Sequence, residues 1–153
     1  MKYTPKTKKE LKTLCNNLSI NLININTSLI TDMSELFLNT KRINFTGIEN
    51  WDTSSVKDMY CMFDGCNSFN ADLSRWNVSN VENMAYMFYN CNSFNADLSK
   101  WNVSNVVCSV GMFAGCNSFN ADLSSWNVGN VKYMQEMFAD MPKYNKPSWY
   151  EKD

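Results

Sequence analysis

The chain contains no histidine. The usual general base of enzyme chemistry is therefore missing. Glycine occurs only 5 times and proline 3 times. No phosphate-cradling glycine loop and no metal-ligand cluster is visible. No apolar run approaches the length of a membrane span, and none of signal-peptide length follows the basic start MKYTPKTKKELKTL. These absences predict no membrane insertion and, without a leader, a cytoplasmic location. The formal net charge is −1, which argues against nucleic acid or an anionic membrane as partner, since both require a basic surface. No cofactor and no enzymatic activity are expected. A reactive thiol at Cys61 or Cys108 is the remaining catalytic option, and no partner base can be named for either.

What is present suits one globular domain: 153 residues, 44% of them hydrophobic. The six cysteines are Cys15, Cys61, Cys66, Cys91, Cys108 and Cys116. Three of them, Cys66, Cys91 and Cys116, recur at one position of a repeat, which offers no obvious disulfide pairing. Reduced core thiols behaving as small hydrophobes are the expectation.

The repeat dominates the sequence. CNSFNADLS stands at residues 66–74, 91–99 and 116–124. Trp51, Trp76, Trp101 and Trp126 share the same spacing of 25, as do Phe63, Phe88, Phe113 and Phe138. SLITDMSELF (28–37) is a degenerate earlier copy, so residues 28–138 hold about four and a half units. In VENMAYMFYNC, Val81, Met84, Phe88 and Cys91 lie at helical spacing, which predicts a short helix with one apolar stripe. Ser79 and Glu82 fit a capping box at its start. In the other half, LSRWNV predicts a strand. Stacked units would share one core, each residue lying on its counterpart. Residues 1–27 are expected to supply an N-terminal capping helix and first strand, with Thr7 and Glu10 as capping box and Leu11, Leu14 and Leu18 on one face. Residues 139–153 are expected to form the C-terminal cap.

The pattern MFxxCxSFNxDLSxWNVSNV resembles the repeat of the BspA-like leucine-rich-repeat surface proteins of bacteria. It is most similar to their subgroup of unknown function with Met-Phe and Trp-Asx-Val motifs. The resemblance implies an α/β solenoid, leucine-rich-repeat-like, with a parallel β-sheet on one side and short helices on the other, capped at both ends. It also implies adhesion or protein binding, and a cell-surface location as the alternative to the cytoplasm.

Several columns invite a functional reading. Asp72, Asp97 and Asp122 could form a calcium ladder; bonds to turn N–H groups are the preferred reading. Asn70, Asn95 and Asn120 are expected to brace turns in the same way. The Met and Trp columns could form a stacking platform but are read as core. Between copies, variation concentrates at Arg75, Lys100 and Ser125, at Asp64, Tyr89 and Ala114, and at Lys57, Glu82, Val107 and Lys132. The candidate partner-binding face is the strand side: Ser74, Arg75 and Asn77, then Ser99, Lys100 and Asn102, then Ser124, Ser125 and Asn127. Tyr60, Tyr86, Tyr89 and Tyr133 are aromatic candidates on the helical side. The function expected is a non-catalytic protein-binding module for an unknown protein partner, of bacterial adhesion type or an intracellular interaction or immunity module.

Overall fold

A computed structural model describes residues 1–150. The last three positions of the expected C-terminal cap lie outside the described residues. Regular structure is sparse. It comprises one helix, α1 (Lys8–Asn16), and two 3-10 turns at Leu22–Asn24 and Ile48–Asn50. Strand pairing among the described residues is limited to five isolated parallel bridges, four of them joining Asp32, Asp58, Asn83, Cys108 and Tyr133 in succession. The expected parallel sheet and layer of short helices are therefore not the architecture of this chain.

The reason lies in the backbone of the Met-Phe half. Met62 N–H bonds the Met59 carbonyl, Asp64 N–H bonds Cys61 and Cys66 N–H bonds Phe63, all one-turn bonds within the unit. The alternate N–H groups leave the unit: Met59 donates to Asn83, Cys61 to Ala85, Phe63 to Met87 and Gly65 to Tyr89. A helix cannot do this, because it points every N–H along its own axis. Left-handed residues make the alternation possible. Glu35, Cys61, Tyr86, Gly111 and Glu136 form one column with φ between 50 and 59°, and Asn39, Gly65, Asn90, Gly115 and Asp140 form a second with φ between 55 and 75°. The second column holds only Gly, Asn and Asp, the residues that tolerate this region best. The apolar side chains still fall at helical spacing, so the sequence pattern imitates a helix while the chain makes overlapping turns.

The result is a stack of five tiers centred on Phe37, Phe63, Phe88, Phe113 and Phe138. Successive rings of this column lie 5.4, 5.6, 5.7 and 5.8 Å apart and nearly parallel. LSRWNV is likewise no strand. It is a turn at Ser74–Arg75 followed by irregular chain. Trp76, Trp101 and Trp126 are buried, and each indole N–H donates to the carbonyl of Ile48, Leu73 and Leu98 in the tier before. Cys66, Cys91 and Cys116 do the same with thiol donors to the carbonyls of Phe37, Phe63 and Phe88.

Both ends are covered, though not equally. Thr7 caps α1 by accepting from Glu10 N–H. Glu10 returns a carboxylate bond to Lys6 N–H rather than to Thr7. Leu11 and Cys15 are buried, whereas Leu18 lies beyond the helix and is exposed. Buried Arg42 ties the helix down by donating to the carbonyls of Cys15, Asn17, Ile20 and Asn44. At the other end Tyr144 keeps the repeat spacing and bonds the Ala121 carbonyl. Trp149 stacks on Trp126 at 6.4 Å and donates to Leu123.

Candidate interaction surface

Two turns of each repeated tier are held by a short side chain. Asp72, Asp97 and Asp122 accept from the backbone N–H of Ser74, Ser99 and Ser124 at 2.9, 2.9 and 2.8 Å. Asn77, Asn102 and Asn127 accept from Ser79, Ser104 and Gly129 in the same way. These are Asx turns, the local bond that lets Asp and Asn end a segment. The serine bonds hold the carboxyls of Asp72, Asp97 and Asp122 below the usual carboxylate range. Among the described residues no cluster of acidic, Cys or His groups is arranged to hold a metal ion.

Asparagines also tie tier to tier. Asn95 N–H bonds the Asn70 side chain, and Asn120 N–H bonds that of Asn95, both at 2.8 Å. Asn80, Asn105 and Asn130 donate their amides to the carbonyls of Ser54, Ser79 and Ser104. The frame is thus fixed at its surface as well as in its core.

Two flanks present side chains that change from tier to tier. On the first, Arg75, Asn77, Lys100, Asn102, Ser124, Ser125 and Asn127 are exposed, and Ser74 and Ser99 are half-buried. Here no sheet face carries them. They occupy turns, and three of the nine are the Asx-turn asparagines. Ser125 is engaged too, bonding the Ser99 carbonyl at 3.0 Å. Arg75 and Lys100 stand close enough to Asp72 and Asp97 to help keep those carboxyls ionised, after the serine bonds. The basic stripe thus has carboxylates nearby.

The second flank carries the tyrosines. Tyr60, Tyr86 and Tyr89 are half-buried and meet edge to face, at 6.2 Å and 5.7 Å. Tyr86 lies over Gly111, where an added Cβ would fall 2.5 Å from the ring. Beside them runs the column Lys57, Glu82, Val107 and Lys132, which lines a shallow groove with Asn80, Asn105 and Asn130. Tyr133, lower on the same flank, is 54% exposed. The rings are partly exposed and brace one another.

The thiols are poorly suited to chemistry. Cys15, Cys66, Cys91 and Cys116 are buried and unpaired. Burial pushes the thiols of Cys66 and Cys116 up to about 12, and it raises Cys61 as well. A thiolate, the reactive form, is disfavoured at all of these sites. Cys108 is half-exposed.

Residues missed in the sequence are the two left-handed columns, Arg42 and Trp149. The recurring Asn, Gly, Asn, Gly, Asp series was a readable signal for one column. Trp149 was obscured because it falls 23 residues after Trp126 rather than 25.

A family model described as Mycoplasma protein of unknown function, DUF285, matches residues 8–110 and 90–151. No curated protein and no solved structure matches the chain.

Proposed function

As the chain belongs to the DUF285 family of Mycoplasma proteins of unknown function, we propose its role from its own surface: a non-catalytic protein-binding module that uses the tyrosine flank. One observation carries this reading. The positions that recur are spent on holding tiers together, while Lys57, Glu82, Val107 and Lys132 differ in charge and size on an outer column beside Tyr60, Tyr86 and Tyr89. Rigid, partly desolvated aromatic rings cost little side-chain entropy on binding and are enriched in interface hot spots. The Arg75 and Lys100 flank is the weaker candidate because its charges already have carboxylate neighbours.

A photo-crosslinking residue placed singly at positions 60, 86 and 89, and at positions 75 and 100, tests this in producing cells. The expected outcome is one discrete heavier adduct from the tyrosine positions and none from the other two. Adducts confined to positions 75 and 100 would move the site to the first flank. No adduct from any position would count against a binding module. The enzymatic alternative has its own readout. Native iodoacetamide labelling is expected to be slow at every buried cysteine, and rapid stoichiometric reaction of one of them would revive it.

A further inference from the structure

The hydrogen bonds between tiers have a direction. From each Met-Phe segment the N–H groups of alternate residues point to the following tier, and the carbonyls between them accept from the preceding one. Ser109, Gly111, Phe113 and Gly115 donate to Tyr133, Gln135, Met137 and Ala139 of the last tier. The corresponding donors of that tier are Met134, Glu136, Phe138 and Asp140. None of these four amides has an acceptor among the described residues.

The side chains show the same incompleteness. Met59 and Met84 are fully buried, as is Val81, whereas Val128, Val131 and Met134 remain partly open. The cap formed by Tyr144, Trp149 and Tyr150 covers the aromatic half of the tier through Phe119, Trp126 and Phe138. The valine half is not covered by it, and between the last tier and the cap lies a cleft of about 710 Å³ lined by Lys132, Met134, Glu136 and Asp140 of the tier and by Pro142 and Tyr150 of the cap.

We infer that this end of the stack is a docking surface for a polypeptide segment of a partner that takes the same turning path, parallel to residues 132–140. The segment offers backbone carbonyls at alternate residues to the four amides and apolar side chains to Val131 and Met134. The Lys132 carbonyl accepts one N–H in return, as the Val107 carbonyl accepts from Lys132 inside the stack. The edge is completed by backbone bonds as in strand addition, here made by a turning segment. A second copy does not fit. Its own C-terminal end offers the same donors, and donors do not pair with donors. Its N-terminal end, which has the carbonyls, lies against α1, whose Lys8 bonds the Ser34 hydroxyl and whose Lys12 bonds the neighbouring Glu35 carbonyl, so the helix stands in the way of a second copy. The site adjoins the tyrosine flank at Lys132 and does not depend on the tyrosines.

Amide hydrogen exchange on the full chain tests the proposal, with a synthetic peptide of the sequence VENMAYMFYNC as probe. In the protein alone, Met134, Glu136, Phe138 and Asp140 should exchange at least about a hundredfold faster than Ser109, Gly111, Phe113 and Gly115. The peptide should then slow those four by about tenfold or more, and Met134→Lys should abolish the slowing while leaving the interior amides protected. Equal protection of both sets in the dilute protein would mean that the chain closes its own end, and the proposal fails. Protection that appears only as protein concentration rises would make a second copy the occupant and would also overturn it. So would a peptide that slows other amides or none.

Discussion

Trp101 shows how much one side chain contributes. It is 4% exposed, stacks on Trp126 at 6.4 Å and donates its indole N–H to the Leu73 carbonyl at 2.9 Å. Trp101→Ala should therefore cost about 3–5 kcal/mol, read from denaturant unfolding. Trp101→Phe keeps an aromatic ring and removes one of the two donors to the Leu73 carbonyl, which still accepts from Trp76 N–H, and should cost less, with about 0.5–1.5 kcal/mol from the lost bond. Equal losses in the two variants would show that the retained ring contributes nothing. Arg42 is the polar counterpart. It is 6% exposed, and its guanidinium faces four carbonyls with no carboxylate bonded to it. Arg42→Met fills the space without the donors and should cost about 2–4 kcal/mol, with α1 released first. Circular dichroism near 222 nm and hydrogen exchange in α1 would follow that release; an unchanged melting curve would refute it.

Within a tier, the two left-handed columns separate strain from contact. Gly65 has φ of 74° and open space around its missing Cβ, so Gly65→Ala carries only the left-handed penalty, about 1–2 kcal/mol. Gly111→Ala adds a collision with the Tyr86 ring and should cost clearly more. Thermal melts of the pair decide the point, and equal shifts would mean that the ring moves freely. The Asx turns supply a pH dependence. The carboxyls of Asp52, Asp72, Asp97 and Asp122 are depressed below the ordinary 3.8 by their serine partners. A depressed folded pKa means that the stabilisation is complete above the unfolded value and is lost as pH falls through the folded one. Stability should thus decline below about pH 4. Changing Asp72, Asp97 and Asp122 together to Asn, which can still accept from serine, should flatten that decline. A decline of unchanged steepness would place the acid sensitivity elsewhere.

This scale also separates what the residues disclosed from what they concealed. The period, the Trp, Phe and Cys columns and the capping segment before residue 27 were legible, because each rests on side-chain identity at fixed spacing. The backbone path was not. Val81, Met84, Phe88 and Cys91 face inward both in a helix and in overlapping turns linked by left-handed residues, so apolar spacing could not distinguish them. The discriminating signal was backbone chemistry at Asn39, Gly65, Asn90, Gly115 and Asp140. For the candidate surface, exposure of Arg75 and Lys100 could be read from variation among copies. The nearness of Asp72 and Asp97 to them, and the service of Asn77, Asn102 and Asn127 in turns, depend on local geometry that composition does not carry.

The whole molecule is held by interfaces between neighbours. Each tier bonds only the tier before and the tier after it, through the same donors and acceptors each time. Stability should then follow the sum of tier and interface contributions, as in other repeat proteins. Excision of Trp76–Lys100 joins Arg75 to Trp101 and restores the sequence of a normal junction. The shortened chain should fold cooperatively and melt at a lower temperature, with Trp emission still blue-shifted by burial. Failure of that variant to fold would show long-range coupling beyond the neighbour tiers.

Because most of these bonds point the same way, their peptide dipoles add along the stack. Positive N–H ends gather at Met134–Asp140 and negative carbonyl ends at the tier of Glu35, much as they do at the two ends of a helix. The placement of Lys8 and Lys12 on that tier then acquires a second meaning. Their ammonium groups sit at the negative pole, on Ser34, Asp32 and the Glu35 carbonyl. The helix that closes the N-terminal end therefore also brings positive charge to the negative end of this field.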